Sequence, residues 1–281
     1  MNNKLKSQRQ DSILNEVLRR GTVSIGDLAD FLKVSEITVR RDLDELHACG
    51  SLERVRGGAR PLTLRVRGPE PPIVQRAEEQ TSEKQAIGQA ALDRVADGDV
   101  IVIESGSTTL EFTRAIARRT WTNLQVATNG FLIAEILMHV PGVQLVCIGG
   151  YFKADEMCTF GVLAEDMLGR MHFNKLFIGC RGIDPEGGIT TDLQSETEVF
   201  TVRAMVAAAD QVIILADHTK FGRIYLLRAL PVSKVDIVIT DSLTPESILE
   251  KLRKQDTQTI IVPPEAITPG ADAPGEENRM F

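Results

Sequence analysis

Residues 35 to 46 place two arginines and two hydroxyl side chains at the spacing of an amphipathic helix. At 100° per residue, Val39, Leu43 and Leu46 share one face, so we predict that this face packs against a core. Ser35 is a favourable N-cap, and the residues after it fall in the first two turns, the part of a recognition helix that reaches base edges. Arginine pairs bidentately with guanine, while aliphatic and threonine methyl groups contact thymine. The candidate base-contacting residues are Ser35, Glu36, Ile37, Thr38, Arg40 and Arg41.

An ordinary surface helix with two solvated arginines would show the same local pattern. The flanking segments are therefore needed to distinguish a surface helix from a recognition helix. Residues 8–20 carry apolar side chains at helical spacing and stop at Gly21, a residue typical of helix ends. Ser24 and Asp27 have the spacing of a capping box, which predicts the start of a second helix. A short corner then leads into Ser35, so the pattern predicts a helix-turn-helix.

A basic hairpin follows the predicted recognition helix. Residues 52–56 alternate in polarity, which predicts a strand, and Gly57 with Gly58 predicts a tight tip. Basic groups beside a recognition helix are typical contacts to DNA phosphates. The candidate phosphate-contacting residues of this wing are Arg54, Arg56, Gly57 and Arg60.

Together these segments resemble the signature of the DeoR family of bacterial transcriptional regulators. The resemblance is carried by Val34-Ser35, Thr38 to Leu43, Leu46, Gly50 and Arg56 to Ala59. It implies a winged helix-turn-helix DNA-binding domain over residues 1–60, with double-stranded operator DNA as its partner. It also implies a homo-oligomer, a dimer or a tetramer, because a small head needs a second half-site for specificity.

Charge and composition agree with a basic head on an acidic body. Residues 1–67 contain 13 Lys and Arg against 9 Asp and Glu, a local balance of +4 in a chain whose net charge is −7. With no long apolar run and no apolar leader, we expect a cytoplasmic protein without membrane contact. The cysteines and histidines show no metal-ligand spacing, so we expect no metal, no cofactor and four small buried cysteines. These are Cys49, Cys147, Cys158 and Cys180.

Prolines and glycines divide the rest of the chain. Residues 61–80 contain four prolines and mixed charge, which predicts a linker without a helix. Residues 263–281 have hardly any apolar content, which predicts a disordered tail. Between them, residues 81–262 alternate strand-like apolar runs with helical patterns, as expected for an α/β domain with a mostly parallel sheet. The predicted strands are 100–104, 124–128, 143–148, 176–179, 212–216, 237–240 and 259–262.

Small and polar residues follow five of these strands, at the edge where open α/β sheets bind ligands. The loop of residues 105–109 is rich in hydroxyls, contains a glycine and leads into a helix near Thr109, which favours phosphate binding at free backbone N–H groups. Lys220 supplies a cation for the same anion, and Asp184 and Asp217 can accept hydrogen bonds from sugar hydroxyls. Simple helix capping and surface solvation remain the alternatives for these residues. The candidate ligand-binding residues are Ser105, Gly106, Ser107, Thr108, Thr109, Asn129, Gly150, Asp184, Asp217 and Lys220.

This region is similar to the DeoR sensor domain, and the resemblance implies a fold like that of ribose-5-phosphate isomerase. It further implies a regulator, most simply a repressor of a sugar or carbohydrate-derivative catabolic operon, controlled by a phosphorylated sugar. A phosphosugar isomerase is the main alternative, but it requires a general base. Glu186 precedes the glycines of its turn, and Glu196 and Glu198 lie farther along, so no catalytic residue is predicted. A nucleic-acid coating protein would leave the sugar-phosphate loops unexplained.

Overall fold

The computed structural model describes residues 6, 9–10, 12–14, 16–17, 20–48, 52–61, 70–192 and 196–263. Its helices are α1 (Ile25–Leu32), α2 (Glu36–Ala48), α3 (Ile73–Ala77), α4 (Thr81–Leu92), α5 (Ser107–Ala117), α6 (Phe131–Leu137), α7 (Val162–Leu168), α8 (Glu196–Ala207) and α9 (Glu246–Arg253). Its strands are β1 (Val23–Ser24), β2 (Leu52–Val55), β3 (Gly58–Pro61), β4 (Val100–Ile103), β5 (Leu124–Thr128), β6 (Val143–Cys147), β7 (Tyr151–Lys153), β8 (Cys158–Phe160), β9 (Phe173–Ile178), β10 (Gly182–Asp184), β11 (Gly188–Thr191), β12 (Ala209–Leu215), β13 (Leu227–Leu230), β14 (Ile237–Asp241) and β15 (Gln258–Val262).

The helix-turn-helix forms with the predicted caps. The described residues between 9 and 20 are helical, and the N–H of Gly21 donates to the carbonyl of Val17 at 3.0 Å. The hydroxyl of Ser24 accepts from the N–H of Asp27 at 3.0 Å and caps α1. Ser35 accepts from the N–H of Thr38 at 3.3 Å, at the start of α2. The head core contains the predicted apolar stripe of Val39, Leu43 and Leu46. It also contains Ile13, Val17, Leu28 and Leu52.

The wing is a three-stranded antiparallel sheet in the order β1, β3, β2. Its turn lies at Arg56 and Gly57, and Gly57 has a φ of 84°, a conformation that glycine adopts without strain. Gly58 belongs to β3 instead of the predicted tip, and a Cβ on Gly58 would lie 2.0 Å from the carbonyl oxygen of Val23. Close contact with β1 therefore requires glycine at this position. Cys49 and Gly50 lie outside the described residues.

All seven predicted strands of the second domain form one sheet, in the order β15, β14, β12, β9, β4, β5, β6. Every pairing in this sheet is parallel. Helices cover both faces, and each face has its own apolar core. Strands buried on both sides are continuous apolar runs, which is why the sequence predicted them.

The helix that leads from the hydroxyl-rich loop is held by a close helix contact. Helix α5 begins at Ser107, two residues before the predicted start, and packs against α4. At the contact, a Cβ on Gly88 would lie 2.7 Å from the backbone nitrogen of Phe112. The absence of a side chain at Gly88 thus sets the separation of the two helices and the position of the loop at residues 105–109.

The prediction that residues 61–80 contain no helix is wrong. Helix α3 starts directly after Pro72, where a proline at the helix entrance costs no hydrogen bond. Ile73 is buried, and its N–H donates to the carbonyl of Asp155 at 2.9 Å. The end of the predicted linker is therefore attached to the sensor. Residues 62–69, and the predicted tail after residue 263, lie outside the described residues.

The cysteine prediction is partly wrong. Cys158 is buried and Cys180 is partly buried, where burial raises the pKa of its thiol to about 12. Cys147 is exposed because it lies on β6, the edge strand of the large sheet. Cys49 falls outside the described residues. None of the helices described here is long and apolar enough to cross a membrane.

Candidate functional site

The outer face of α2 exposes several of the predicted base-contacting side chains. Ile37 is 79% exposed, and the side chain of Arg41 is 80% exposed with an ion pair of 3.5 Å to Glu45. Arg40 is also exposed and pairs with Glu36 at 3.3 Å. An apolar side chain left in solvent beside two guanidinium groups is suited to contact with base edges and a thymine methyl.

The wing arginines differ in how they are held. Arg54 is partly buried and pairs with Asp44 of α2 at 3.4 Å, so it joins the wing to the helix. Arg60 forms two hydrogen bonds of 2.9 Å with Glu53 on the opposite strand. Arg56 is exposed at the turn. We therefore expect Arg56 to be the wing arginine that reaches a phosphate with least rearrangement.

A buried ion pair that the sequence pattern did not predict supports α2 from behind. Asp42 is 1% exposed and accepts hydrogen bonds of 2.5 and 3.1 Å from Arg9. This contact raises the pKa of Arg9. It joins the first helical segment to the recognition helix, so it fixes the angle at which Arg41 is presented.

The second domain has a cavity of about 110 Å³ at the carboxyl ends of its central strands. Strands β4 and β9 are neighbours, but the chain proceeds from β4 toward β5 and β6 on one side and from β9 toward β12 on the other. The loops after the two strands therefore diverge and leave a crevice between them. Residues 104–108, at the end of β4 and in the loop after it, and residues 178–181, at the end of β9 and in the loop after it, line the cavity.

The hydroxyl-rich loop at residues 105–109 leads into the N-terminus of a helix, as predicted, and most of it lines the cavity. Gly106 precedes the first residue of α5, and the N–H groups of a helix's first turn have no partner within the helix. Ser107 and Thr108 line the cavity. These amides, the hydroxyls and the positive end of the helix dipole can together bind a phosphate.

Thr109 and Asn129 hold this loop and do not line the cavity. The hydroxyl of Thr109 donates to the carbonyl of Glu104 at 2.7 Å. The amide of Asn129 accepts from the N–H of Ser105 at 3.0 Å and donates to the carbonyl of Thr159 at 3.0 Å. Both side chains therefore shape the loop from behind.

Three cations line the cavity, of which the sequence pattern identified Lys220. Arg181 pairs with Asp192, and its guanidinium lies 4.7 Å from the centre of the Tyr225 ring. Arg76 pairs with Glu156 across the cavity wall. Arg181 follows the predicted strand 176–179 and was not predicted to bind a ligand, and Arg76 lies in the predicted linker, whose composition did not indicate a site.

Buried Lys84 supports Arg76. Its ammonium group donates to the backbone carbonyls of Arg76 and Glu79, fixing the turn between α3 and α4. Burial lowers the pKa of Lys84, although Asp217 nearby partly opposes this. The lysine thus orders the chain that carries Arg76 into the cavity.

Part of the cavity wall consists of the carboxyl groups of Glu104, Glu156 and Glu198, which were not predicted from the sequence. Burial, together with the neighbouring carboxylates of Glu156 and Glu198, raises the pKa of Glu104 well above its usual value. Burial also raises the pKa of Glu156, against the effect of Arg76. Glu198 forms a 2.5 Å hydrogen bond with Lys153. A protonated Glu104 can donate a hydrogen bond, while ionised neighbours accept them, so this wall suits hydroxyl groups.

Three other predicted ligand residues lie outside the cavity lining. Gly150 has a φ of 153° and lies against the backbone of Phe160, so it serves a close chain contact. Asp184 accepts from the N–H groups of residues 186 and 187 within its own turn. Asp217 accepts from Thr219 and is 1% exposed. Burial alone would raise the pKa of Asp217, but Lys220 and Thr219 outweigh it, so the pKa is lowered.

The position of the acids bears on the isomerase alternative. The side chain of Glu186 is 83% exposed and pairs with Lys251 at 3.5 Å, away from the cavity. Glu198 does line the cavity, although the sequence gave no reason to place it there. Across the described part of the chain, no three His, Cys, Asp or Glu side chains are arranged to hold a metal ion.

An exposed recognition helix with a basic wing, joined to a parallel α/β domain with a crevice lined by cations, defines a DNA-binding transcriptional regulator. Residues 9–63 match the DeoR-like helix-turn-helix domain, and residues 79–242 match the DeoR C terminal sensor domain. The chain belongs to the DeoR family, whose members are regulators and not enzymes.

Relatives match nearly the whole chain. The putative aga operon transcriptional repressor of Escherichia coli O157:H7 is 31% identical over 91% of this chain and 94% of its own length. The transcriptional repressor AccR of Agrobacterium fabrum strain C58 is 32% identical, covering 88% and 95%. The glycerol-3-phosphate regulon repressor of Escherichia coli K12 is 29% identical, covering 90% and 98%.

Among solved structures, ribose 5 phosphate isomerase A from Neisseria gonorrhoeae is similar to part of the chain. It shares 14% identity over 49% of this chain and 52% of that protein, with a TM-score of 0.36.

Proposed function

We propose that this regulator is a cytoplasmic repressor of a carbohydrate-derivative catabolic operon, and that a phosphorylated sugar in the cavity controls it. The observation that carries the proposal is the meeting of a helix N-terminal hydroxyl loop with the cations Arg76, Arg181 and Lys220 in one crevice. Backbone N–H groups and guanidinium groups are the usual ligands of a phosphoryl group.

Two parts of the cavity lining suit the two ends of such an effector. The phosphoryl group fits the part formed by Ser107, Thr108 and Lys220. Sugar hydroxyls fit the part formed by the carboxyl groups of Glu104, Glu156 and Glu198, which offers hydrogen-bond donors and acceptors. A phosphate without a polyol would leave these carboxyl groups unused.

The names of similar proteins favour repression, and the small size of the head favours an oligomer. Three similar full-length proteins are named repressors, and two of those names refer to an operon or a regulon. The head is small, so we propose that it acts in a homo-oligomer, a dimer or a tetramer, on paired half-sites of double-stranded DNA. The effector would then favour one arrangement of the paired heads over another.

A thermal-shift screen of the full-length protein against phosphorylated monosaccharides tests the cavity. An effector at one hundred times its Kd should stabilise the protein by about 2.7 kcal/mol. Lys220→Ala should weaken that effector by about 1.5 to 3 kcal/mol, roughly tenfold or more, because the phosphoryl group loses a charge-assisted contact. Lys251→Ala removes the same charge from an exposed site outside the cavity and serves as the matched control.

Gel shifts on the operator complete the test. The effector should change operator affinity of the parent and of Lys251→Ala at the same midpoint, and that of Lys220→Ala only at higher concentration. An effector that binds Lys220→Ala as tightly as the parent would place the ligand elsewhere. Turnover of ribose 5-phosphate by the purified protein would instead favour an isomerase.

A further inference from the structure

One carboxylate from the segment before α3 lies among all three cations of the cavity. Glu70 Oε1 lies 3.5 Å from a terminal nitrogen of Arg76 and 3.6 Å from Nζ of Lys220. Its Oε2 lies 3.7 Å from Nε of Arg181. The side chain is only 19% exposed. A single charge is thus shared by three cations where the phosphoryl group of an effector would bind.

Glu70 attracts the three cations electrostatically but forms no short hydrogen bond with any of them. Charge-assisted N–H···O bonds are about 2.7 to 2.9 Å long, and all three Glu70 contacts are longer than 3.4 Å. A phosphoryl group has three oxygens and a charge of about −1.5 to −2. It can therefore satisfy the three cations better than one carboxylate can.

The other acidic partners of these cations come from the body of the sensor. Glu156 pairs with Arg76, and Asp192 pairs with Arg181. The charge of Lys220 helps to lower the pKa of the nearby Asp217. These groups would continue to hold the cations after an anion entered. Glu70 is the carboxylate that precedes the anchored part of the segment.

The anchor begins just after Glu70. Pro71 and Pro72 have restricted backbones, and the N–H of Ile73 donates to the carbonyl of Asp155. Along the sequence, residues 62–69 connect Glu70 to the last wing strand, which ends at Pro61. Glu70 is therefore a second attachment point between the sensor and the chain that leads to the DNA-binding head.

We propose that Glu70 is an internal competitor of the effector, and that a phosphoryl group entering the cavity displaces it and releases its attachment to the sensor. The proposal rests on the proposed function. Once Glu70 is displaced, the next contact along the chain is the carbonyl of Pro71, which accepts a hydrogen bond of 2.8 Å from Nε of Arg76. The effector thereby removes one of the contacts that hold the start of the chain leading to the head, and the paired heads are held differently on their half-sites.

The cavity volume agrees with partial occupancy by the protein itself. At about 110 Å³ the cavity is smaller than the roughly 300 to 1,000 Å³ of typical ligand pockets. Glu70 forms part of its wall, so withdrawal of this side chain enlarges the space at the end where the phosphoryl group binds.

Glu70→Gln tests the competition, because it keeps the shape of the side chain and removes its charge. Glu78→Gln is the matched control, since Glu78 is an exposed carboxylate a few residues along the same segment that does not line the cavity. The probe is inorganic phosphate, titrated calorimetrically into the full-length proteins. If Glu70 occupies the site for about nine-tenths of the time, its removal should tighten phosphate binding about tenfold, whereas Glu78→Gln should match the parent.

Operator affinity without any added anion tests the coupling between the cavity and the DNA-binding head. Glu70→Gln should differ from Glu78→Gln by at least about threefold in gel-shift titrations, in the direction that the effector produces in the parent. Equal phosphate affinity in both variants would overturn the competition. Tighter phosphate binding with unchanged operator affinity would overturn the coupling.

These failures are distinguishable from failure of the proposed function. Lys220→Ala is titrated with phosphate in the same series. If it loses phosphate binding while Glu70→Gln and the parent bind alike, the cavity remains the anion site and only the role of Glu70 is refuted. If all four proteins bind alike, the phosphate lies elsewhere and both proposals fail.

Discussion

Gly88→Ala should destabilise the sensor domain, although alanine is the better helix former. A Cβ at this position would lie 2.7 Å from the backbone nitrogen of Phe112 and 2.8 Å from the carbonyl carbon of Glu111. Ordinary Cβ contacts begin near 3.4 Å, so α4 and α5 must separate by about 0.7 Å, the difference between 3.4 and 2.7 Å. The atoms in the way are backbone atoms and cannot rotate aside.

The magnitude follows from two opposing terms. Replacing a helical glycine by alanine gains about 1 kcal/mol, while overpacking costs about 1 to 3 kcal/mol. Three backbone contacts of 3.0 Å or less favour the upper end of the cost. We therefore expect a net loss of about 1 to 2 kcal/mol, which lowers the Tm of a domain of this size by roughly 2 to 8 °C.

Trp121 provides the assay. It is the single tryptophan of the chain, it is 4% exposed, and it packs in the sensor core that contains Phe112. Urea unfolding followed by tryptophan fluorescence therefore reports on this domain. The loop at residues 105–109, which we propose binds the phosphoryl group, leads into α5. The effector should therefore also bind more weakly to Gly88→Ala.

Gly26→Ala is the matched control in the head. A Cβ there meets only the hydroxyl oxygen of Ser24, at 3.8 Å, so the variant should keep or raise the stability of the head and leave the Trp121 transition unchanged. An unaltered or raised midpoint for Gly88→Ala would show that α4 and α5 separate without cost, and would refute the reasoning.

Arg41→Ala should weaken operator binding by about 1 to 3 kcal/mol and relax base preference, whereas Arg56→Ala should weaken all DNA sequences alike and reduce the salt dependence by about one counterion. Gel shifts at two salt concentrations separate the two effects, and retained affinity in both variants would remove these residues from the interface. Glu104→Gln should match the parent in stability near pH 4 and become increasingly more stable than the parent as pH rises from 5 to 8. The raised pKa means that the folded state favours the protonated Glu104, so the parent loses stability once pH rises above the carboxyl pKa of the unfolded chain. Urea midpoints of parent and variant that differ equally at all pH values would contradict this. Arg9→Met should destabilise the head by roughly 3 kcal/mol, because Asp42 keeps a buried charge without its partner, and circular dichroism melting that shows no change would contradict the ion pair.

The large sheet could be predicted because its strands are buried on both faces. Runs such as residues 124–128 and 259–262 are apolar throughout, so their positions are visible without knowledge of their neighbours. Strands β10, β11 and β13 have three or four residues and pair across up to about forty positions, and they were missed. Short antiparallel strands without clear alternation leave no periodic signal.

The cavity was predicted in part for a similar reason. Residues 105–108 are recognisable because a hydroxyl-rich loop between strand and helix is a local pattern. Arg76, Arg181 and Glu156 meet in the cavity from segments 25 to 105 residues apart in the sequence, and each looks like an ordinary charged residue in its own segment. Asp217 follows β12 as predicted, whereas Asp184 ends β10, a strand that was missed. Both carboxylates accept hydrogen bonds from neighbouring backbone N–H groups.

The order of the strands has a consequence for synthesis of the protein on the ribosome. Strands β4, β5 and β6 are made first and can pair with one another, but β4 keeps one edge open until β9 is complete at Ile178. An open, apolar edge in a nascent chain invites pairing with other chains. Products that end before residue 173 should therefore aggregate, and the crevice between β4 and β9 comes into existence only when the two halves of the sheet join.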